Sequence, residues 1–180
     1  MNPIIFSVDW EPWFSGTPYG QFWEDSDLLI EEPTLYLLDL LKRHKITAVF
    51  YILGWLRDRR SDLHQRIVED GHVIGDHSYY HTYENWSQEL LRDPMFRPPR
   101  WHGAWIPGWS GGAFLRALPY PILKRNLLNS GMFWVHPSDV MLKHPIKTIK
   151  HQIGLSTIRD KMERLCREVE FADPEKHGYK

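Results

Sequence analysis

Only one cysteine, Cys166, occurs in 180 residues, so no internal disulfide can staple the fold. Nothing around it suggests a catalytic thiolate, and a reducing compartment is the simpler setting. No apolar run is long enough to span a bilayer. Met1 leads straight into Asn2, Pro3 and Ile4, without the basic and apolar regions of a signal peptide. Cytoplasmic placement without a transmembrane segment is therefore expected. Charge of one sign is lacking too: 22 Lys and Arg against 23 Asp and Glu leave a formal net charge of −1. No whole-molecule field recruits nucleic acid or an anionic membrane, and no nucleic-acid partner is expected. Internal repeats and low-complexity tracts are absent, which argues against solenoids and disordered tracts.

What is present suits one folded domain: 42% of residues are hydrophobic and 25% charged. The expected division is a single domain over residues 1–172 and a polar tail, 173–180, that frays. Nine tryptophans are available for sugar faces or for packing.

Residues 3–9 form a short apolar run that ends in a carboxylate. It reads as a buried strand of a parallel sheet, with Asp9 and Glu11 at its carboxyl end. An acid there is expensive unless paired or metal-bound, which points to a site; capping of the next turn is the competing role for Asp9. Residues 13–27, rich in Gly, Pro and aromatics, read as a loop. Pro33 opens a helix that Lys42, Arg43 and His44 complete at its negative end. Residues 47–53 are a second strand, and 61–70 a second helix with Ser61 as N-cap and Gly71 closing it. Residues 72–75 are a third strand. Strands and helices in alternation imply right-handed crossovers and parallel pairing.

Beyond the third strand come His77 and His81, with three residues between them. On a helical turn that spacing puts both imidazoles on one face, within reach of one metal ion. With ten histidines in the chain, chance pairing is the competing reading. Ser78, where H-E-x-x-H requires glutamate, argues against a zincin protease. Residues 86–92 read as a short helix. The Pro-, Gly-, Trp- and Arg-dense segment 94–112 is long enough to suggest function. A helix over 114–128 is interrupted by Pro119 and Pro121, and residues 132–136 form another apolar run ending in His136. A last helix covers about 155–169. Three strand ends thus carry titratable groups, and in parallel α/β architectures those ends share one face. Two imidazoles plus a carboxylate make a catalytic metal set with room for water.

In these residues the chain resembles the polysaccharide deacetylase family, the NodB-homology carbohydrate esterases. Ser7-Val8-Asp9-Trp10-Glu11 is similar to its first motif, His77-Ser78-Tyr79-Tyr80-His81 meets H-[ST]-x-x-H, and Phe133-Trp134-Val135-His136-Pro137 is similar to the histidine-ended fifth motif. The resemblance implies a distorted, shortened or incomplete (β/α) barrel of the NodB-homology type. It implies a hydrolase that removes N-acetyl groups from an amino-sugar glycan or its precursor. Asp9 would be the base and His136 the acid. Glu11, His77 and His81 would hold a divalent metal, zinc first, with cobalt or nickel as alternatives.

Arg97, in Arg97-Pro98-Pro99-Arg100-Trp101, would pair with Asp9 as the family's third-motif arginine. It follows His81 closely, so a second register, with that motif lost, stays open. Trp101 and Trp105 are candidates for a sugar platform. An open barrel would expose strand edges and favour self-association into a homo-oligomer. Two other readings follow from the resemblance: a metal-independent amidohydrolase of the allantoinase-like branch, to which Glu11 in place of aspartate points, and a catalytically inactive, truncated sugar-binding homologue. Arg100 and Arg116 read as surface or loop arginines. Asp139 is a candidate to orient His136.

Overall fold

The computed structural model describes residues 4–13, 27–79, 100–101, 104–105, 112–130 and 132–179. The first strand, β1 (Ile5–Trp10), is followed by helix α1 (Asp27–His44), strand β2 (Val49–Ile52), helices α2 (Gly54–Arg59) and α3 (Ser61–Glu69), and strand β3 (Val73–Asp76). Two short strands come next, β4 (Arg100–Trp101) and β5 (Ala104–Trp105), then helices α4 (Gly112–Ala117) and α5 (Tyr120–Ser130) and strand β6 (Met132–Val135). A 3-10 turn (Pro137–Val140), helices α6 (Ile149–Gln152) and α7 (Ile158–Glu168) and a second 3-10 turn (Pro174–His177) complete the order.

The main sheet runs β3-β2-β1-β6, and every pairing in it is parallel. β1 lies between the second strand and the last, the pairing through which a (β/α) barrel closes on itself. Among the described residues the barrel is incomplete, an open four-stranded arc. β4 and β5 form a separate antiparallel ribbon.

Alternation along each strand separates two faces. Phe6, Val8, Trp10, Phe50, Phe133 and Val135 point to the helical layer and pack with Leu37 and Leu41 of α1 and Ile158, Met162 and Leu165 of α7. The Phe6 and Phe133 rings meet edge to face at 4.7 Å. Trp10 Nε1 donates to Thr34 Oγ1 at 2.9 Å, so the indole keeps its hydrogen bond inside the core. The opposite face carries Ile5, Val49 and Val73, which pack with Tyr51, Ala172 and Tyr179.

Local details depart from expectation in four places. Pro33 lies inside α1 rather than at its start. It is buried with Ile30 and Leu37, and that burial outweighs the missing N–H, while the Thr34 hydroxyl donates to the Ile30 carbonyl at 2.6 Å. Ser61 is the first residue of α3 and not its cap: Arg60 alone separates α2 from α3, and its carbonyl accepts the His64 N–H at 3.0 Å. The break expected at Pro119 divides α4 from α5, but Pro121 does not interrupt: it lies in the first turn of α5, where its missing N–H costs little. The terminal segment, expected to fray, is folded: Asp173 accepts the Glu175 N–H, and Tyr179 packs on the sheet face. Gly71 ends α3 as expected, with φ +80. No helix among the described residues is long and apolar enough to cross a membrane.

Candidate active site

The site grows from the face of the sheet opposite α1 and α7. Register places Asp9 beside Tyr51, and Tyr51 beside Gly75, in one row across β1, β2 and β3. Ser7 pairs with Trp134, so His136, two residues further along, continues the same row on the side of β6. A Cβ at Gly75 would fall 2.6 Å from Tyr51 Cδ1, so glycine lets that ring lie across the strand. Just beyond the row, Glu11 follows in a tight turn, its N–H on the Asp9 carbonyl at 2.9 Å. The His77 N–H bonds the Ile52 carbonyl at 3.2 Å, which ties His77 to the end of β2.

Three strand ends are thereby joined. His136 Nε2 lies 3.3 Å from Glu11 Oε1 and 3.8 Å from Asp9 Oδ2. His77 Nε2 lies 3.6 Å from Glu11 Oε2. On its other side His136 meets Asp139: the ring Nδ1 is 3.1 Å and the backbone N–H 3.0 Å from Asp139 Oδ2. Asp139 also accepts the Gly112 N–H at 3.0 Å and faces Arg116 Nη1 at 3.4 Å. Glu11, His77, Arg116 and Asp139 are all buried.

This geometry sets the charges. Burial alone would push the His136 imidazole down, but its hydrogen bonds to Asp139 and Glu11 outweigh that and hold it well above its ordinary value. Burial pushes the Asp139 carboxyl up, and the His136 partner outweighs it, leaving Asp139 below the ordinary carboxylate range. His77 is raised in the same sense: desolvation lowers it, and Glu11 with Asp9 more than offsets this. A cationic imidazole beside a carboxylate can deliver a proton to one side of a bound group while the carboxylate takes one from the other.

Glu11 and His77 also fit two positions on a shared divalent ion. Their facing atoms are 3.6 Å apart, near the roughly 3.3 Å that separates two ligands on a tetrahedral zinc, and carboxylate with imidazole is a zinc donor set. Among the described residues no group of three or more His, Cys, Asp or Glu is arranged to hold an ion.

Of the residues expected at the site, Asp9, Glu11, His77 and His136 come together. His81 and Arg97 lie outside the described residues. Trp101 and Trp105 have their backbones in the β4–β5 ribbon, and their side chains are outside what is described. The helical turn expected over the histidine pair does not begin at His77: Ser78 has φ +65, and its N–H bonds Asp76 Oδ1 at 3.1 Å. Two residues were misjudged. Arg116, read as a surface arginine, is only 5% exposed. Tyr51 passed unnoticed, although period two in residues 47–53 puts it on the face of Asp9. The His136–Asp139 spacing did carry a signal, a capping box around the 3-10 turn.

The sequence profile of the polysaccharide deacetylase family matches residues 18–98. Over that stretch the chain is similar to the polysaccharide deacetylases. It is 31% identical over 74 residues to a peptidoglycan-N-acetylglucosamine deacetylase of Bacillus cereus, an alignment covering 41% of this chain and 35% of that protein. It is 38% identical over 45 residues to the peptidoglycan-N-acetylmuramic acid deacetylase PdaA of Bacillus subtilis, covering 25% and 17% of the two chains. The aligned stretches thus span about a third or less of these relatives' own lengths. Among solved structures, the fold is similar to the Bc1960 peptidoglycan N-acetylglucosamine deacetylase, at TM-score 0.50 and 18% identity over 94% of this chain and 85% of that one. A Mycobacterium smegmatis protein described as a polysaccharide deacetylase gives TM-score 0.54 at 12% identity, covering 98% and 92%. At these identities the structural likeness speaks for the fold.

Proposed function

We propose that this chain hydrolyses an N-acetyl group on an amino-sugar glycan or glycan precursor, releasing acetate and a free amine. The observation that carries the reading is the cluster itself, in which His136 reaches Asp9 and Glu11, and Glu11 reaches His77. Similarity to the polysaccharide deacetylases supports it. Glu11 and His77, with His81, would hold a divalent ion, zinc by donor type. The chemistry such an ion supplies is polarisation of the acetyl carbonyl and acidification of the attacking water. Asp9 takes the proton from that water. His136, kept charged by Asp139 and Glu11, gives its proton to the departing nitrogen. Tyr51 and Trp134 flank Asp9 and His136 on the same face and offer aromatic walls to a sugar ring. Arg97 would hold Asp9 ionised, and Trp101 and Trp105 would extend the sugar platform.

The deciding experiment is acetate release from N-acetylated glucosamine oligomers by the zinc-loaded protein, with Asp9→Asn as control. Release that is abolished in Asp9→Asn, with metal content unchanged, is expected. No release from any N-acetylated glycan would overturn the reading and leave a sugar-binding role. A second reading, a metal-independent amidohydrolase, is favoured by one contact: Glu11 is engaged with His136 at 3.3 Å. Turnover of a cyclic amide that survives exhaustive chelation would decide for it.

A further inference from the structure

Asp139 is 2% exposed, yet one oxygen collects three donors: the His136 ring, the His136 backbone N–H and the Gly112 N–H. Its second oxygen faces Arg116 Nη1 at 3.4 Å, and Arg116 is 5% exposed. Two of the three donors on Oδ2 are backbone N–H groups, and the guanidinium on Oδ1 is the charged anchor on the far side of the carboxylate, holding it in place with Oδ2 turned to the His136 ring. Arg116 also stands as a cation beside a buried carboxylate at the moment His136 has given up its proton.

The arginine is itself held from behind. Its carbonyl accepts from Lys161 Nζ, which bonds the Leu118 carbonyl as well, at 2.8 Å. Gly154, at φ +71, passes so close that a Cβ there would fall 2.3 Å from the Arg116 oxygen. A buried arginine clamped at its backbone and aimed at the partner of the acid is built for placement.

We propose that Arg116 is a positioning residue for His136, acting through Asp139. The kinetic part rests on the reading of His136 as the proton donor; the structural part does not. The test therefore has two arms. In protein labelled with 15N-histidine, the Nδ1–H proton bonded to Asp139 gives a far-downfield resonance, assigned by its loss in His136→Gln. Arg116→Met shifts that resonance upfield or broadens it away. In the kinetic arm, Arg116→Met lowers kcat on the N-acetyl amide on the order of 10- to 100-fold, as loss of a partner behind a site ligand does. KM and metal content stay unchanged, and an activated ester, whose leaving group needs no proton, is much less affected.

Added guanidinium restores part of the rate to Arg116→Ala. Where Arg116→Met does not fold, Arg116→Lys carries the test, because it keeps the buried charge but displaces it, and the resonance must still move. An unmoved resonance, or equal losses on amide and ester, would overturn the proposal. A wild-type protein without acetate release would instead sink the hydrolase reading, while the resonance arm still decides whether Arg116 places His136.

Discussion

One sheet has two faces, and they do opposite work. On the face under α1 and α7, Phe6, Val8, Trp10 and Phe50 are fully buried in the apolar core, where Trp10 bonds the Thr34 hydroxyl and Phe50 meets the His72 ring. On the other face, one residue away along the same strands, stand Ser7, Asp9, Tyr51, Gly75 and Trp134, followed by Glu11, His77 and His136. The first face stabilises the fold by removing hydrocarbon from water. The second holds carboxylates and imidazoles that are costly to bury, and it can do so because they are paired with each other. Period two alone separates them. Substitutions on the two faces should therefore fail in different ways: in chemistry on one, in folding on the other.

The sharpest break is chemical. Asp9→Asn and His136→Gln should each cut turnover of an N-acetyl amide by about 10²- to 10⁴-fold, the usual contribution of a positioned base or acid. Thermal unfolding of Asp9→Asn should change little, because that side chain is partly exposed. His136→Gln also takes the ring partner from the buried Asp139 carboxylate, so its turnover is compared at a temperature where it remains folded. Kinetics beside calorimetry on the same samples checks this. A variant that loses activity only in step with its melting temperature would place these residues with the core.

The helical face should give the converse. Phe6 is fully buried and meets Phe133 and Phe171, so Phe6→Ala should cost about 3–5 kcal/mol, from lost burial and a residual cavity. Denaturant titration reads the loss, and the fraction still folded should keep its turnover.

How much of this could be read from the chain alone follows from which signals are local. The apolar runs that became β1, β2, β3 and β6 were legible, because a buried parallel strand needs nothing else to be seen. Asp9, Glu11, His77 and His136 were legible as strand-end groups, since parallel pairing brings those ends to one face. Arg116 was not, because its burial depends on α4 meeting the 3-10 turn that carries Asp139, a contact with no counterpart in sequence. Pro33 and Ser61 misled for a related reason: local propensity was overridden by burial at one and by the abutting helix at the other.

Gly75, on the site face, offers a smaller, graded probe. Gly75→Ala places a methyl group 2.6 Å from the Tyr51 ring, in the row that holds Asp9. The ring must turn away, at a cost of about 1–3 kcal/mol typical of overpacking. Turnover should fall along with stability, because the displaced ring stands beside Asp9. Tyr51→Ala carries its own packing cost, so the check is the cost of Gly75→Ala in both backgrounds, which should be much smaller without the ring. An equal cost with and without Tyr51 would mean that the strand, not the ring, resists the methyl group.

The smallest effect concerns a histidine off both faces, and it tests whether the charged imidazoles of the site are special. His144 is 3% exposed, stacked on His151 at 4.7 Å and edge-on to Trp13 at 5.5 Å. Its Nδ1 accepts the Ile146 N–H at 3.1 Å, so the neutral ring is the bonded form. Burial first, then the positive charge of His151 and Arg116, push it from 6.5 down to about 4. His136 and His77 move the opposite way because carboxylates face them. The signs for stability are therefore opposed. A raised histidine contributes stability that is present below 6.5 and is lost as pH rises through its folded value. His144 is depressed, so its unfolded form binds the proton more readily, and stability falls as pH drops from 6.5 toward 4. Replacing it by His144→Asn, which keeps an acceptor for the Ile146 N–H, removes that loss and leaves the other two histidines in place. Between pH 7 and pH 5 the wild type should lose about 1–2 kcal/mol more than the variant in chemical unfolding. Any cavity left by the smaller side chain costs the same at both pH values and cancels in the difference. Equal slopes in the two proteins would mean that folding does not depress His144, and that its contrast with the carboxylate-held imidazoles of the site does not exist.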